Sequence, residues 1–131
     1  SVRVPLVLAG PGVGRGKRVS SPCYLHDVYP TLCQLAGLPV PETVESRSLL
    51  GGAKYDSLFF AYRNLQRGVR HGRWKLIRYY APAAERLQLF DLAEDPDELQ
   101  DLSEYGRYAG KIGELREEMG RWMQRTEDPL R

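Results

Sequence analysis

The segment QRGVRHGRWKLIRYY, residues 66–80, carries the strongest structural signal in the chain. Its second half alternates, so that Trp74, Leu76 and Tyr80 share one face of an extended strand. The pair His71-Gly72 interrupts the run, and its glycine can supply the positive φ that a tight hairpin turn requires. The segment therefore predicts a β-hairpin with one aromatic face turned towards a core.

The same segment also mixes cations with aromatic rings, which is the pattern of single-stranded nucleic-acid binding sites. Aromatic residues that share one strand face more often form core and cross-strand pairs. We therefore predict no nucleic-acid partner.

Further elements lie on both sides of this hairpin. SLFFAY (57–62) and LQLFDL (87–92) are rich in strand-forming residues, and Pro96 predicts a turn after the second run. The last segment predicts a helix, because its apolar residues recur at helical spacing. These residues are Tyr105, Tyr108, Ala109, Ile112, Leu115, Met119, Trp122 and Met123. Several antiparallel strands covered by one long helix make an α+β layout.

The N-terminal part begins with an apolar run, Val4 to Ala9, which predicts a strand followed by a basic, glycine-rich turn. The turn resembles a phosphate-binding loop only superficially. Pro11 stands where that motif requires its first glycine, and Arg18 stands where it requires Ser or Thr. No nucleotide site is predicted.

The segment YLHDVYPTLCQLAGLPVP, residues 24–41, predicts a short amphipathic helix from its apolar periodicity. Pro30 is compatible with this helix if Asp27 is the N-cap, because the third helical N–H has no intrahelical partner. Gly37 then ends the helix in a left-handed conformation.

A polar stretch with Gly51-Gly52 follows and predicts a connection over the surface. We place a boundary there, which divides the chain into residues 1–53 and 54–131.

The composition limits the functions of this 131-residue chain, whose net charge is +2. It contains no apolar stretch of about eighteen residues, so no membrane span is predicted. Two cysteines and two histidines make no zinc constellation. Counted from Asp91, Pro96 stands where a calcium loop requires glycine. No activated nucleophile with a neighbouring base is evident either, so we assign no catalytic and no metal residue to this chain.

The charges are segregated along the chain. Residues 57–84 contain six Lys or Arg and no acid, whereas residues 85–104 contain eight acids and one arginine. The two blocks either neutralise each other across the fold or leave an anion-binding surface beside a solvated acidic loop. A separate structural alternative is that Arg63 and Arg67 pair with Asp91, Glu94, Asp95 or Asp97.

Five stretches taken together resemble the C-terminal part of a type I sulfatase, of the arylsulfatase kind within the alkaline-phosphatase-like superfamily. In chain order they are SVRVPLVLAGPG, HDVYPTLCQLAGLPVP, SRSLL, AYRNLQRGVRHGRWKLIRYY and QLFDLAEDPDELQDLSE. The fourth stretch favours the sulfatase branch over a phosphatase or phosphoglycerate-mutase relative in that superfamily.

The resemblance implies a fold class between α/β and α+β. Residues 1–53 would be the end of the catalytic α/β domain, with Arg3 to Ala9 as a strand of its central sheet and the following helix packed on it. Residues 54–131 would form a C-terminal subdomain, in which a small antiparallel sheet is covered by the last helix.

The resemblance also implies a chemistry. In this family a Cys or Ser in a C/S-x-P-x-R motif becomes formylglycine, and calcium neutralises the sulfate oxygens. Ser20 to Tyr24 begins like that motif, but Tyr24 replaces its arginine, and we interpret the match as coincidence. We therefore expect the parent enzyme to use calcium and formylglycine from another part, and the isolated chain to be inactive.

A substrate-binding role is predicted for Arg63, Asn64 and Arg67, which lie near a predicted strand end in the acid-free segment. Arginine is suited to bidentate contacts with carboxylate or sulfate groups. The expected partner is a sulfated small molecule or sugar in an exported or periplasmic parent.

The alternative hypothesis is a stand-alone binding module for anionic polymers such as sulfated polysaccharide. A self-contained module would pair the first strand within the chain. In a sulfatase fragment the same strand would lack neighbours, and we expect it to favour self-association.

Overall fold

The structure is a computed structural model that describes residues 4–52, 54–80 and 85–131. The chain divides into two compact units, Ser1–Tyr55 and Asp56–Arg131. This division falls two residues after the predicted boundary between residues 53 and 54. The assignment of the first unit to a catalytic domain stays a prediction.

The first unit contains helix α1, Val28–Leu35, preceded by a 3₁₀ turn at Leu25–Asp27. Pro30 occupies the third helical position, as predicted. Gly37 has φ of +67°, and the N–H of Leu38 donates to the carbonyl of Cys33 at 2.9 Å. This is the predicted glycine-terminated helix end, since a left-handed residue returns the chain to the free carbonyls.

Asp27 occupies the predicted N-cap position of α1 but does not cap the helix with its side chain. Its backbone is helical, and its side chain makes no capping bond to α1. The fully buried carboxylate instead accepts the backbone N–H of Tyr24 (2.7 Å), the backbone N–H of Arg47 (3.2 Å) and the hydroxyl of Tyr55 (2.6 Å). Tyr24 belongs to the local 3₁₀ turn, whereas Arg47 and Tyr55 lie 20 and 28 residues later, so the carboxylate ties three parts of the first unit together.

The strand predicted from Arg3 to Ala9 is not formed over residues 4–9, while Arg3 lies outside the described residues. A strand requires a hydrogen-bonded neighbour, and within the described part of the chain the four strands of the sheet, all after residue 56, pair only with one another. The side chains of Val4, Leu6 and Val7 are exposed.

The second unit is a four-stranded antiparallel sheet in the order β1-β2-β3-β4. Its strands are β1 (Ser57–Tyr62), β2 (Gln66–His71), β3 (Trp74–Tyr80) and β4 (Glu85–Asp91). The predicted hairpin is confirmed between β2 and β3. Its turn is shifted by one residue from the prediction, because His71 pairs with Trp74 and leaves Gly72 (φ +58°) and Arg73 as the two turn residues.

Helix α2, Ala109–Arg125, covers one face of this sheet. The buried core joins Val69, Leu76 and Leu89 of the sheet to Leu115, Met119 and Met123 of the helix, with Leu102 beside them. Trp74 and Tyr80 pack against this core, which confirms the predicted core face of β3. The unit is thus an antiparallel sheet packed against one helix, which is the predicted α+β layout.

The predicted apolar stripe of the last helix extends one turn too far. Gly106–Tyr108 forms a 3₁₀ turn ahead of α2, and Tyr105 before it is exposed. The N–H of Tyr108 donates to the carbonyl of Tyr105 at 2.9 Å, which is the i to i+3 bond of a 3₁₀ turn, and the regular helix starts at Ala109.

Among the described residues, no helix is long and apolar enough to cross a membrane.

Candidate functional site

The connection between β1 and β2 is the three-residue turn Arg63–Leu65. The N–H of Leu65 donates to the carbonyl of Tyr62 at 3.1 Å, and the carbonyl of Leu65 accepts the N–H of Tyr80 at 2.8 Å. Arg63 has φ of +47°, a left-handed conformation that side-chain-bearing residues seldom adopt. The turn is therefore a strained segment tied to the end of β3.

Arg63 and Asn64 are exposed at the tip of this turn. The guanidinium carbon of Arg63 lies 5.6 Å from the centroid of the exposed Tyr62 ring. No ion pair between Arg63 and a carboxylate is found among the described residues. The guanidinium is thus accessible to an anionic ligand, and an aromatic ring lies beneath it.

Arg67 has a different environment, because it is only 2% exposed. Its Nε donates to Oδ2 of Asp128 at 2.6 Å, and its Nη1 donates to the carbonyls of Arg63 (2.5 Å) and Gln66 (2.8 Å). The side chain is directed beneath the end of α2 and not towards solvent. The structure therefore brings Arg63, Asn64 and Arg67 together but exposes only the first two to solvent.

Asp128 completes this arrangement, and sequence reasoning missed it. Burial by itself would raise the pKa of its carboxyl group, but the hydrogen bonds from Arg67 and from the N–H of Leu130 outweigh burial and hold the pKa below the ordinary value of 3.8. Asp128 is 61 residues from Arg67 and lies outside the acidic block, so no local pattern links the two.

Other cations of the basic block are neutralised within the same unit. Arg73 pairs with Asp91 and Glu94, as the first alternative for the charge blocks predicts. Lys75 pairs with Glu98, and Arg78 pairs with Glu85. These pairs leave less positive charge for an anionic polymer, and no observation favours the stand-alone polymer-binding module.

The described residues do not offer a metal centre or an activated thiol. No group of three or more His, Cys, Asp or Glu side chains within residues 4–52, 54–80 and 85–131 is arranged to hold a metal ion. Burial and the nearby charge of Asp27 raise the pKa of the Cys23 thiol, which disfavours the reactive thiolate. The calcium and formylglycine that the family implies therefore do not fit these residues.

Comparison with known proteins now defines the class: the fold and its sequence are those of the C-terminal region of a sulfatase. The chain belongs to the family described as N-sulphoglucosamine sulphohydrolase, C-terminal, whose sequence model matches residues 1–125. This match runs through both units.

Curated relatives include arylsulfatase K of Bos taurus and of Homo sapiens, each 35% identical over 121 residues. These matches cover 79% of the chain but only 22% and 23% of the two relatives. The chain therefore spans less than a quarter of the length of these relatives.

Solved structures agree on the fold. A 2-O GAG sulfatase is 28% identical with a TM-score of 0.64, and the match covers 78% of this chain and 25% of that one. A second protein, solved in complex with its substrate D-glucosamine-2-N,6-O-disulfate, is 22% identical with a TM-score of 0.67. That match covers 79% of this chain and 24% of the other, and at this identity it supports the fold alone.

Proposed function

We propose that the protein carrying this region hydrolyses sulfate esters of sugars, and that Arg63 and Asn64 contact the part of the substrate beyond the reacting sulfate. The observation that carries this proposal is an exposed arginine without a carboxylate partner, on an ordered turn of a sulfatase C-terminal region. The relatives are sulfatases, and one structural neighbour was solved with a disulfated glucosamine.

The chemistry of the substrate explains the choice of residues. A sulfated sugar often carries a second anionic group, and a guanidinium can bind such a group with two parallel hydrogen bonds. The amide of Asn64 can donate to an anionic oxygen and accept from a sugar hydroxyl. Arg67 cannot make this contact while it is buried against Asp128, so its role in the proposal is support of the turn.

Bond cleavage is proposed to depend on the rest of the enzyme. In the family, formylglycine would supply the nucleophile and calcium would supply positive charge at the sulfate, and we propose that the residues that would hold them belong to the rest of the enzyme. The isolated 131-residue chain is therefore expected to be inactive, while it contributes orientation of the substrate in the whole enzyme.

The test compares Arg63→Ala and Asn64→Ala in the full sulfatase, with D-glucosamine-2-N,6-O-disulfate as substrate. Loss of one charged hydrogen-bonded contact is expected to raise KM about tenfold or more for Arg63→Ala, with a smaller rise for Asn64→Ala. The kcat should change little, because the contact lies away from the reacting bond and binds ground state and transition state alike.

Two controls make the result specific. Hydrolysis of a simple aryl sulfate, which lacks the sugar, should be unaffected by either substitution. Arg86→Ala removes an exposed arginine from β4, at the opposite edge of the sheet, and should leave KM for the sugar unchanged. If KM and kcat of Arg63→Ala equal those of the unchanged enzyme for the disulfated sugar, the proposed contact is wrong.

A further inference from the structure

A continuous set of hydrogen bonds joins the C-terminal end of α2 to the turn Arg63–Leu65. After α2 ends at Arg125, Glu127 adopts a left-handed conformation with φ of +51°. The N–H of Asp128 then donates to the carbonyl of Met123 at 2.8 Å. This return to the helix fixes the position of Asp128 beneath the helix end.

Both carboxylate oxygens of Asp128 are engaged. Oδ2 accepts Nε of Arg67 at 2.6 Å, and Oδ1 accepts the N–H of Leu130 at 2.9 Å. Asp128 is 6% exposed and Arg67 is 2% exposed. Because both groups are shielded from water, each charge is compensated inside the unit mainly by the other.

The other end of the Arg67 guanidinium reaches the turn. Nη1 donates to the carbonyl of Arg63, whose own backbone is in the strained left-handed region, and to the carbonyl of Gln66. A planar guanidinium can hold a carboxylate and two carbonyls at fixed angles, which a lysine ammonium on a flexible stem cannot do equally well. Through Arg67, the geometry of the turn is thus linked to Asp128, which lies 65 positions after Arg63 in the chain.

We propose that Arg67 and Asp128 are positioning residues: they hold Arg63 in its left-handed conformation and so direct its side chain towards the ligand. The structural part of this proposal concerns the turn alone. The part that concerns ligand binding rests on the proposed function of Arg63.

The first experiment uses nuclear magnetic resonance to measure the signal positions and the solvent-exchange rates of the backbone amides of residues 63–65. It compares the unchanged 131-residue chain with its Arg67→Lys and Asp128→Asn variants. We expect the backbone amide signals of Arg63, Asn64 and Leu65 to shift. The amide of Leu65, which donates to the carbonyl of Tyr62, should exchange with solvent at least tenfold faster than in the unchanged chain. The matched control is Asp91→Asn, which breaks the Arg73–Asp91 pair at the opposite hairpin and should leave the signals of residues 63–65 in place.

A purely stabilising pair gives a different result. If Asp128→Asn lowers the melting temperature while the signals of residues 63–65 keep their positions and exchange rates, the positioning role is wrong. A lower melting temperature of Asp128→Asn alone therefore does not support the proposal.

A measurement on the unchanged chain tests the proposal even if a variant does not fold. The Nε proton of Arg67 is expected to exchange with water at least tenfold more slowly than that of the exposed Arg63, because it is buried on Asp128. Equal exchange rates for the two arginines would overturn the proposal without any substitution.

The second experiment uses the full sulfatase and D-glucosamine-2-N,6-O-disulfate. Arg67→Lys should raise KM to a similar extent as Arg63→Ala, with kcat unchanged. The KM of the double variant should be no higher than that of Arg63→Ala alone. If the effects of the two substitutions on KM add up in the double variant, Arg67 does not act through Arg63.

The two experiments separate the two proposals. If Arg63→Ala has no effect on KM while Arg67→Lys shifts the turn, the substrate contact is wrong and the positioning of the turn stands. If Arg63→Ala raises KM while the turn is unmoved by Arg67→Lys, the contact stands and the positioning role is wrong.

Discussion

At the scale of single residues, burial decides how the arginines of one basic block are used. Arg63 is exposed on a turn, Arg67 is buried against Asp128, and Arg73 is exposed but paired with Asp91 and Glu94. The three side chains carry the same charge and lie within eleven consecutive residues. Their environments, and not their chemistry, distinguish the proposed ligand contact of Arg63 and the proposed support of the turn by Arg67 from the ion pairs of Arg73.

The Arg73–Asp91 pair predicts a specific loss of stability in acid. Two hydrogen bonds from Arg73, at 2.5 Å and 2.6 Å, lower the pKa of the Asp91 carboxyl from its ordinary 3.8, against the opposing effect of burial. Since the folded state then binds fewer protons than the unfolded state, the contribution of Asp91 is complete above about pH 4 and is lost as the pH falls through the lower folded pKa.

Urea unfolding at pH 5, 4, 3 and 2 measures this contribution. The free energy of unfolding should fall more steeply with decreasing pH in the unchanged chain than in Asp91→Asn. Asp97→Asn, which removes an exposed carboxylate from the following loop, should keep the steep dependence. Identical pH dependence in the unchanged chain and Asp91→Asn would contradict the prediction.

At the scale of elements, the sheet depends on a close contact between β1 and β2. Phe60 is paired with Gly68, and its ring lies over the glycine so that an added Cβ would stand 1.9 Å from Cε2 of the ring. The Nζ of Lys75 lies 5.5 Å from the centroid of the same ring. Gly68 therefore provides the space in which the ring lies flat on the sheet.

Gly68→Ala is expected to destabilise the unit by about 1–3 kcal/mol, because the ring must leave its position or the strands must separate. The control is Gly113→Ala within α2, where an added Cβ meets no atom within 4 Å. That substitution should stabilise the helix by about 0.5–1 kcal/mol, since alanine has the higher helix propensity.

Urea unfolding of both variants measures these two changes. Equal stability of Gly68→Ala and the unchanged chain would show that the Phe60 ring moves without cost and that the close contact does not hold the strands.

At the scale of the whole molecule, the two units differ in how their apolar residues are covered. The second unit buries its own core between sheet and helix. In the first unit, Val4, Leu6 and Val7 are 65%, 42% and 84% exposed in a segment that forms no strand over residues 4–9. Exposed apolar runs of high β-propensity tend to pair with other chains.

We therefore expect the 131-residue chain to self-associate through residues 4–9, and sedimentation velocity over a range of concentrations to detect dimers or larger species. Val7→Lys should weaken this association, because a charged side chain disfavours pairing at a strand edge. Val19→Lys, at a residue that is 76% exposed outside the run, should not weaken it. A chain that remains monomeric at all concentrations would contradict the prediction.

Local patterns in the sequence determined most of the fold of the second unit. Alternation in residues 74–80 identified the core face of β3, and the glycine at position 72 identified the hairpin to within one residue. Helical spacing identified α2, although the predicted stripe began one turn before the helix. These signals are local because the periods of strand and helix and the φ of glycine act over a few neighbouring residues.

Only the tertiary structure decided the composition of the candidate site. The same local reasoning grouped Arg63, Asn64 and Arg67, but it could not show that Arg67 is directed inward to Asp128, 61 residues away. It also assigned Asp27 to the helix α1, whereas donors from residues 24, 47 and 55 surround it. The direction of a long charged side chain depends on which partner the fold brings within about 3 Å, and that distance is set by packing between segments remote in sequence.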